Sequence, residues 1–486
     1  MMIKRFFYIF SVFACSALLT GCSTNPATGK QQFTALMSPQ QEVQVGAQEH
    51  KKIIGQYGLY NDKNLQSYVS QVGKRVVKDT ERTDVQYKFY LLDSPIVNAF
   101  ALPGGYIYIS RGLLALANSE SEMASVLAHE AGHITARHSA ERYSHSVVTS
   151  LGAMILSTAI GSSGASEALG VGSNLYLSSY SRGQENQADS LGIRYLSRSG
   201  YTPKAMSAFL QNLNADKQLD SQLDGKKGQQ DKAASYFSTH PATADRVNKT
   251  VVEARQYPQG GDVREEAYIR RLNGMVYGDS AKQGFVRGQT FYHPEIGFKF
   301  SVPNGFKITN QPSRVIGSSK DGTLVIFDMI SNKNGYSPMR FMKDEWAKGK
   351  PVDGAENITI NGMSAATSSI VGSVNGQQAH VRLVAIRWAK DRIARFQVVY
   401  PSGTSSNVLS ALKKSTYSFK RLGASEKKSL KPYRVKIVTA QRGDSVGSLA
   451  RKMVFDDYRE ERFRVLNGLA PRDGLKAGRA YKIVVK

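Results

Sequence analysis

The chain has 486 residues, of which 41% are hydrophobic and 21% charged, and its formal net charge is +25. This composition excludes wholesale disorder, and the length allows about two to four domains with their own cores. The positive charge predicts either attraction to an anionic surface or a solubilising surface without a partner. Because the N-terminus is predicted below to be an export signal, nucleic acid is not an expected partner.

The N-terminus has the pattern of a bacterial signal peptide. Lys4 and Arg5 precede an apolar run that is too short to span a membrane, and the sequence Leu-Thr-Gly-Cys ends at Cys22. These four residues resemble a lipobox, so we predict a signal peptide over residues 1–21 and lipidation of Cys22. The alternative is an ordinary signal peptide with an incidental cysteine. By resemblance to other lipoproteins, Ser23 after the cysteine predicts anchoring at the periplasmic face of the outer membrane.

A tether over residues 22–37 is predicted to lead into a segment of helices and strands. The pattern predicts a helix at 38–78, strands at 87–92, 98–102 and 106–110, a helix from 119 to about 145, and a helix from about 175 to 198. Residues 264–284 are predicted to be a linker. Alternating apolar residues at 285–422 predict an α+β domain with a mostly antiparallel sheet and no catalytic pattern.

The sequence His-Glu-Ala-Gly-His occupies residues 129–133. His129 and His133 are four residues apart on a predicted helix, so both imidazoles project from one face and reach the same metal ion. Glu130 is placed to act as the general base that deprotonates a zinc-activated water. This pattern predicts a hydrolytic centre with one zinc ion per chain.

Such a centre needs a third protein ligand. Position 139, where a metzincin would have a histidine, is Ser139, and His138 is expected to point away from the ligand face. The better candidate is Glu185, with Asp189 one turn further along the same predicted helix. Asp189 is expected to accept a hydrogen bond from the free ring nitrogen of a ligating histidine.

These motifs occur in an order that resembles a known family. The sequence Asn-Ala-Phe-Ala-Leu-Pro-Gly-Gly begins at Asn98, and the HExxH helix, the Glu185 and Asp189 helix, Thr-His-Pro at 239–241 and Arg246 follow it. Together they resemble the HtpX/BepA/Oma-type gluzincin zinc peptidases. The resemblance implies His129, His133 and Glu185 as zinc ligands, Glu130 as base, and His240 and Arg246 as further active-site residues.

The resemblance also implies a fold and a function. The expected architecture is a mainly α zincin-type catalytic domain with a small β-sheet at 38–255, then the α+β domain and a small C-terminal module. The expected function is ATP-independent quality control of misfolded or damaged envelope proteins. Whether His240 inhibits or assists catalysis stays open. Relatives of the BepA type end in a tetratricopeptide-repeat domain, which this sequence lacks, so the resemblance does not carry β-barrel assembly partners.

The C-terminal residues 432–486 follow a strand–helix–helix–strand rhythm. This βααβ module resembles LysM, which binds N-acetylglucosamine polymers, so peptidoglycan is a candidate partner beside the membrane. A generic docking module is the alternative.

The strand that contains Asn98, Ala99, Phe100 and Ala101 is predicted to be an edge that binds substrate backbone by main-chain hydrogen bonds. Two other functions remain open for the whole chain: a chaperone-like assembly scaffold that binds clients, and a peptidoglycan-binding adaptor lipoprotein. The complete HExxH motif favours the endopeptidase, because a pure binder would have no need for Glu130.

Overall fold

The computed structural model describes residues 22–159, 178–223, 236–241, 244–348, 352–374 and 377–486. The predicted signal peptide lies outside these residues. The chain divides into two compact units. The first runs to Gly278 and takes in Tyr433–Lys486, and the second spans Asp279–Pro432.

The predicted tether is wrong, because residues 22–37 fold. Strands β1 (Cys22–Thr24) and β2 (Gln31–Phe33) form an antiparallel hairpin. The side chain of Asn25 is buried and donates to Gln32 Oε1 and to the carbonyl oxygen of Ala136. Buried polar groups need such partners, so this segment is fixed against the protein instead of linking it loosely to the N-terminus.

The first unit combines helices with a three-stranded sheet. Its further elements are α1 (Pro39–Tyr57), α2 (Lys63–Val77), β3 (Lys88–Leu92), β4 (Ala99–Leu102), β5 (Tyr106–Ser110), α3 (Arg111–Leu116), α4 (Glu120–Thr135), α5 (His138–Ala159), α6 (Arg182–Arg198), α7 (Ala205–Leu223), α8 (Tyr236–Thr239), α9 (Ala244–Ala254), α10 (Glu265–Arg271) and β6 (Val276–Tyr277). The sheet order is β3-β5-β4, with β3 parallel and β4 antiparallel to the central β5. Among the described helices, none combines the length and apolar character that crossing a membrane requires.

The helix predicted from 119 to about 145 is broken into α4 and α5. Arg137 lies between them with φ 58°, a left-handed conformation that ends an α-helix. Its guanidinium donates to Glu42 Oε1, Thr34 Oγ1 and the carbonyl oxygen of Met37. These contacts compensate for the cost of the left-handed backbone. The helix predicted at 38–78 is likewise divided into α1 and α2.

The second unit is rich in strands, as predicted for the α+β domain. Its elements are β7 (Phe285–Arg287), β8 (Thr290–His293), β9 (Phe298–Ser301), β10 (Lys307–Gln311), β11 (Arg314–Ser318), β12 (Leu324–Ser331), α11 (Pro338–Arg340), a π-helical turn (Phe341–Trp346), β13 (Asp353–Ile360), β14 (Met363–Val374), β15 (Gln377–Ala389), β16 (Arg392–Pro401), α12 (Ser406–Tyr417), β17 (Lys420–Arg421) and α13 (Ala424–Ser429). A seven-stranded antiparallel sheet has the order β10-β11-β12-β16-β15-β14-β13. A four-stranded sheet has the order β17-β9-β8-β7.

The C-terminal module has the predicted element order: β18 (Tyr433–Thr439), α14 (Val446–Ala450), α15 (Arg459–Leu466) and β19 (Ala480–Val485). It has a hydrophobic core of its own. Residues 264–284 are predicted to be a linker, but part of this segment forms strand β6. This strand pairs with β18 and extends the module's sheet to β19-β18-β6. The module is therefore joined by a backbone hydrogen-bond ladder to the unit that contains α4.

One side chain of the module is buried against the helical domain. Lys482 is fully buried, and its ammonium donates to the carbonyl oxygens of Ala115 and Ala117 at 2.7 Å each. These two carbonyls lie at the end of α3, a few residues before α4 begins. The lysine therefore satisfies acceptors at a helix C-terminus, where positive charge is favourable.

Candidate metal centre

Helix α4 places His129, Glu130 and His133 in the interior, since every residue of the helix is buried. Ser119 caps the helix by accepting from the backbone N–H of Glu122 at 3.1 Å. The rings of His129 and His133 lie on one helix face with their centroids 4.7 Å apart. The helix therefore presents both imidazoles and the neighbouring carboxylate to the same space.

Two glycines bring α6 close to α4. A Cβ atom at Gly132 would lie 3.0 Å from the carbonyl oxygen of Ala188, and one at Gly192 would lie 3.2 Å from the backbone nitrogen of His129. Both separations are shorter than ordinary contacts, so larger residues would push the helices apart. This close packing places Glu185 of α6 opposite the two histidines.

The predicted ligand atoms converge. His133 Nε2 lies 3.1 Å from His129 Nε2 and 3.4 Å from Glu185 Oε1. The cluster has a fourth member, because His240 Nδ1 lies 3.2 Å from His129 Nε2 and 2.9 Å from Glu185 Oε1. The ligand atoms of these four buried residues all lie within 4.8 Å of one another.

The cluster fits a metal ion. Its imidazole nitrogens face one another, and neutral nitrogens with facing lone pairs repel unless a proton or a cation lies between them. Within the described part of the chain, both carboxylate oxygens of Glu130 are buried without a hydrogen-bond partner, although His240 Nε2 is 3.3 Å from Glu130 Oε1. Imidazole and carboxylate groups are established metal ligands, so we assign the group as a candidate metal centre.

The pKa shifts of His133 and Glu185 suit metal ligands. Burial lowers the pKa of His133 well below its ordinary value, which keeps the imidazole neutral. Burial alone would raise the pKa of Glu185, but the neighbouring imidazoles of His240, His133 and His129 outweigh it and hold that pKa well below its usual range. Burial raises the pKa of Glu130, as expected for a carboxylate that takes up a proton.

Asp189 lies next to His129. Its Oδ1 is 2.9 Å from Nδ1 of His129, so the carboxylate is placed to hold the Nδ1–H tautomer and leave Nε2 free for a metal. Arg246 donates to both oxygens of Asp189 at 2.8 Å, and its Nη1 lies 2.6 Å from Glu185 Oε2. Arg246 thus contacts both Asp189 and the predicted ligand Glu185, and it is placed to orient the ligands.

His138 was not expected to take part, yet it contacts a ligand. Its Nδ1 lies 2.9 Å from Nδ1 of His133. The expectation rested on one continuous helix, and the left-handed break at Arg137 turns the ring of His138 back toward His133. His138 is outside the cluster of ligand atoms, so rejecting it as a ligand agrees with the geometry. The break could not be read from the sequence.

Two tyrosines that the sequence gave no reason to select line the site. The ring of Tyr180 stacks on His133 at a centroid distance of 3.7 Å, and that of Tyr236 stacks on His240 at 4.4 Å. The backbone N–H of Tyr236 donates to the carbonyl oxygen of Val97, just before β4. These contacts fix the position of His240 relative to the sheet.

Strand β4 lies at the edge of its sheet in the described part of the chain, with only β5 beside it. Ala99, Phe100 and Ala101 belong to this strand, while Asn98 precedes it and accepts from the backbone N–H of Ser110. None of these four residues belongs to the ligand cluster. Cys22 begins β1 opposite Phe33, and its lipidation stays a prediction.

Comparison with known proteins supports the site. Residues 63–253 match the family model described as Peptidase family M48. Mitochondrial metalloendopeptidase OMA1 of Schizosaccharomyces pombe is 29% identical over 51% of this chain and 71% of that protein. The beta-barrel assembly-enhancing protease of Escherichia coli K12 is 34% identical over 36% of this chain, and a putative protease of the same name from Vibrio cholerae is 33% identical over 41%. The chain spans only 37% and 41% of the length of these two bacterial relatives.

Structural similarity is weak. The solution structure of cyanobacterial PsbP from Synechocystis has 16% identity and a TM-score of 0.22, covering 27% of this chain and 91% of that one. LpqN of Mycobacterium tuberculosis has 11% identity and a TM-score of 0.22, covering 26% of this chain and 83% of that one.

The HExxH helix, the opposing carboxylate of Glu185 and the matched segment together define a metallopeptidase. The matched segment contains all the predicted ligands and Glu130. Residues 63–253 match peptidase family M48, and their motifs resemble its HtpX/BepA/Oma-type group.

Proposed function

We propose that this chain is a zinc-dependent endopeptidase of the bacterial envelope that hydrolyses misfolded or damaged proteins without ATP. The observation that carries the proposal is the buried convergence of His129, His133 and Glu185 beside Glu130. Zinc is favoured because two imidazoles and one carboxylate are a frequent ligand set of catalytic zinc sites.

When bound, zinc supplies Lewis-acid chemistry, since it acidifies a water molecule and polarises a carbonyl group. Glu130 accepts the proton of the attacking water at its carboxylate and then delivers it to the leaving amine. The raised pKa of Glu130 brings its proton affinity closer to that required at neutral pH. His240 Nδ1, 2.9 Å from Glu185 Oε1, is placed to occupy a ligand position, and His240 Nε2, 3.3 Å from Glu130 Oε1, is placed to donate to the developing oxyanion.

We infer that the substrate binds as an extended segment along the edge strand β4. An edge strand offers unpaired backbone groups, so a peptide can add to it by main-chain hydrogen bonds. Such binding depends on backbone and not on side chains. It therefore favours unfolded segments over a fixed sequence, as a quality-control enzyme requires.

The proposed location is the periplasmic face of the outer membrane, with a lipid on Cys22 as the anchor. Its support is the lipobox pattern and the similarity to bacterial proteases named for enhancing beta-barrel assembly. The C-terminal module is proposed to bind peptidoglycan, supported by its βααβ order alone. A chaperone-like scaffold and a peptidoglycan-binding adaptor are the rival functions, and neither explains a buried Glu130 beside three imidazoles.

The deciding experiment measures zinc content and casein cleavage of the purified chain from Ser23, wild type against Glu130→Gln. The wild type should bind one zinc ion and cleave casein. Glu130→Gln should keep the zinc and lose cleavage, because metal binding and proton transfer are separate roles. Near wild-type cleavage by Glu130→Gln would overturn the mechanism, and a zinc-free, inactive wild type would favour the scaffold.

A further inference from the structure

The second metal-ligand histidine is connected to the N-terminal hairpin by a chain of hydrogen bonds. Nδ1 of His133 lies 2.9 Å from Nδ1 of His138, and Nε2 of His138 lies 2.7 Å from Oε1 of Gln187. The amide nitrogen of Gln187 donates to the hydroxyl oxygen of Thr28 at 3.2 Å. His138 is fully buried, and Gln187 and Thr28 are partly buried.

The direction of these hydrogen bonds decides which nitrogen of His133 is free. An amide oxygen only accepts, so His138 must carry its proton on Nε2. In the neutral ring, Nδ1 of His138 is then the acceptor. His133 must therefore donate from Nδ1, which leaves the lone pair of its Nε2 facing Glu185 and His129.

The opposite direction of these hydrogen bonds would prevent His133 from binding a metal. If the amide nitrogen of Gln187 faced His138, the proton of His138 would move to Nδ1 and be donated to His133. The proton of His133 would then lie on Nε2, where it blocks coordination. The amide orientation of Gln187 therefore matters chemically, and its hydrogen bond to Thr28 seats the side chain beside His138.

We propose that His138 and Gln187, the latter seated by Thr28, are positioning residues that present Nε2 of His133 to the metal. Asp189, whose Oδ1 lies 2.9 Å from Nδ1 of His129, is placed to do the same for His129 with a carboxylate, so the two histidines are oriented by different chemistry. Thr28 belongs to the turn between β1 and β2, so the hairpin that begins at the predicted lipidation site is connected to the metal centre through Gln187 and His138. This inference rests on the proposed metal site.

The test is the zinc dissociation constant, measured by chelator competition at pH 8 on the full chain. Gln187→Leu removes the acceptor and should weaken zinc binding by about 10- to 100-fold, the usual effect of losing such a partner. Gln187→Glu keeps an acceptor and should bind zinc within a few-fold of the wild type. If Gln187 only fills space, Gln187→Glu should weaken zinc binding more than Gln187→Leu, because burying a carboxylate costs more free energy than burying a leucine.

Thr28→Val should weaken zinc binding less than Gln187→Leu. Thr24→Val is its matched control, since Thr24 is an exposed residue of the same hairpin whose hydroxyl accepts from Gln31. The control should match the wild type. If Gln187→Leu fails to fold by circular dichroism, the comparison of Thr28→Val with Thr24→Val decides, and equal affinities would overturn the proposal.

Nitrogen-15 NMR of the histidine side chains gives a readout independent of activity. In the zinc-loaded wild type, His138 should be protonated at Nε2 and His133 at Nδ1. The reverse tautomers would contradict the relay. A wild type that binds no zinc would instead refute the proposed metal site itself, whereas tight zinc binding that ignores Gln187→Leu would refute only this inference.

Discussion

Arg246 and Asp189 form a buried, two-pronged ion pair in which both nitrogen–oxygen distances are 2.8 Å. The carboxylate of Asp189 in turn faces Nδ1 of His129. Arg246 thus acts on the metal ligand His129 through Asp189. This contact gives a physical basis, orientation of a ligand, to the active-site role that the family resemblance implies for Arg246.

Arg246→Lys should weaken zinc binding by about 10- to 100-fold, because a lysine cannot make both hydrogen bonds to Asp189. Chelator competition measures this change. Arg255→Lys is the matched control, an exposed arginine just after α9, and should have no effect. A variant with normal zinc affinity but a lower kcat would show that Arg246 acts on the transition state instead.

His240→Ala should raise basal casein cleavage and lower zinc affinity modestly. His240 Nδ1 already lies among the ligand atoms, so its imidazole is placed to compete with water for the metal. Cleavage rates and zinc content measure the two effects. His145→Ala, which removes an exposed histidine of α5, serves as control. A fall in kcat with unchanged zinc would assign His240 to transition-state stabilisation.

Lys482→Met should lower the free energy of unfolding by about 1–3 kcal/mol, because the buried carbonyl oxygens of Ala115 and Ala117 lose their donor. Urea unfolding of the full chain measures the change. Lys476→Met, an exposed lysine of the same module, is the matched control and should leave stability unaltered. Equal stability of the two variants would show that the buried lysine is dispensable.

Cys22→Ala should release the protein from membranes into the periplasmic fraction, because the proposed acyl chains supply the hydrophobic anchoring energy. Fractionation and mass spectrometry of the N-terminal peptide check this. Ser23→Ala should remain in the membrane fraction. An unchanged distribution of Cys22→Ala, with no loss of acyl mass, would refute lipidation.

The sequence by itself determined the parts of the site that depend on local helix geometry. His129 and His133 share a face because they are four residues apart, and Glu185 and Asp189 share a face for the same reason. Strands β3 to β5, the antiparallel character of the second unit and the βααβ order also followed from periodicity, which local backbone geometry imposes.

Only the tertiary structure decided the features that depend on contacts distant in sequence. The left-handed break at Arg137 is stabilised by groups about 100 residues earlier, and it brings His138 to His133. The folded N-terminal hairpin, the contact of Gln187 with Thr28 and the burial of Lys482 have no periodic signal. Each depends on a hydrogen bond to a residue that is distant in the sequence. The local spacing of residues does not indicate which distant residue that is.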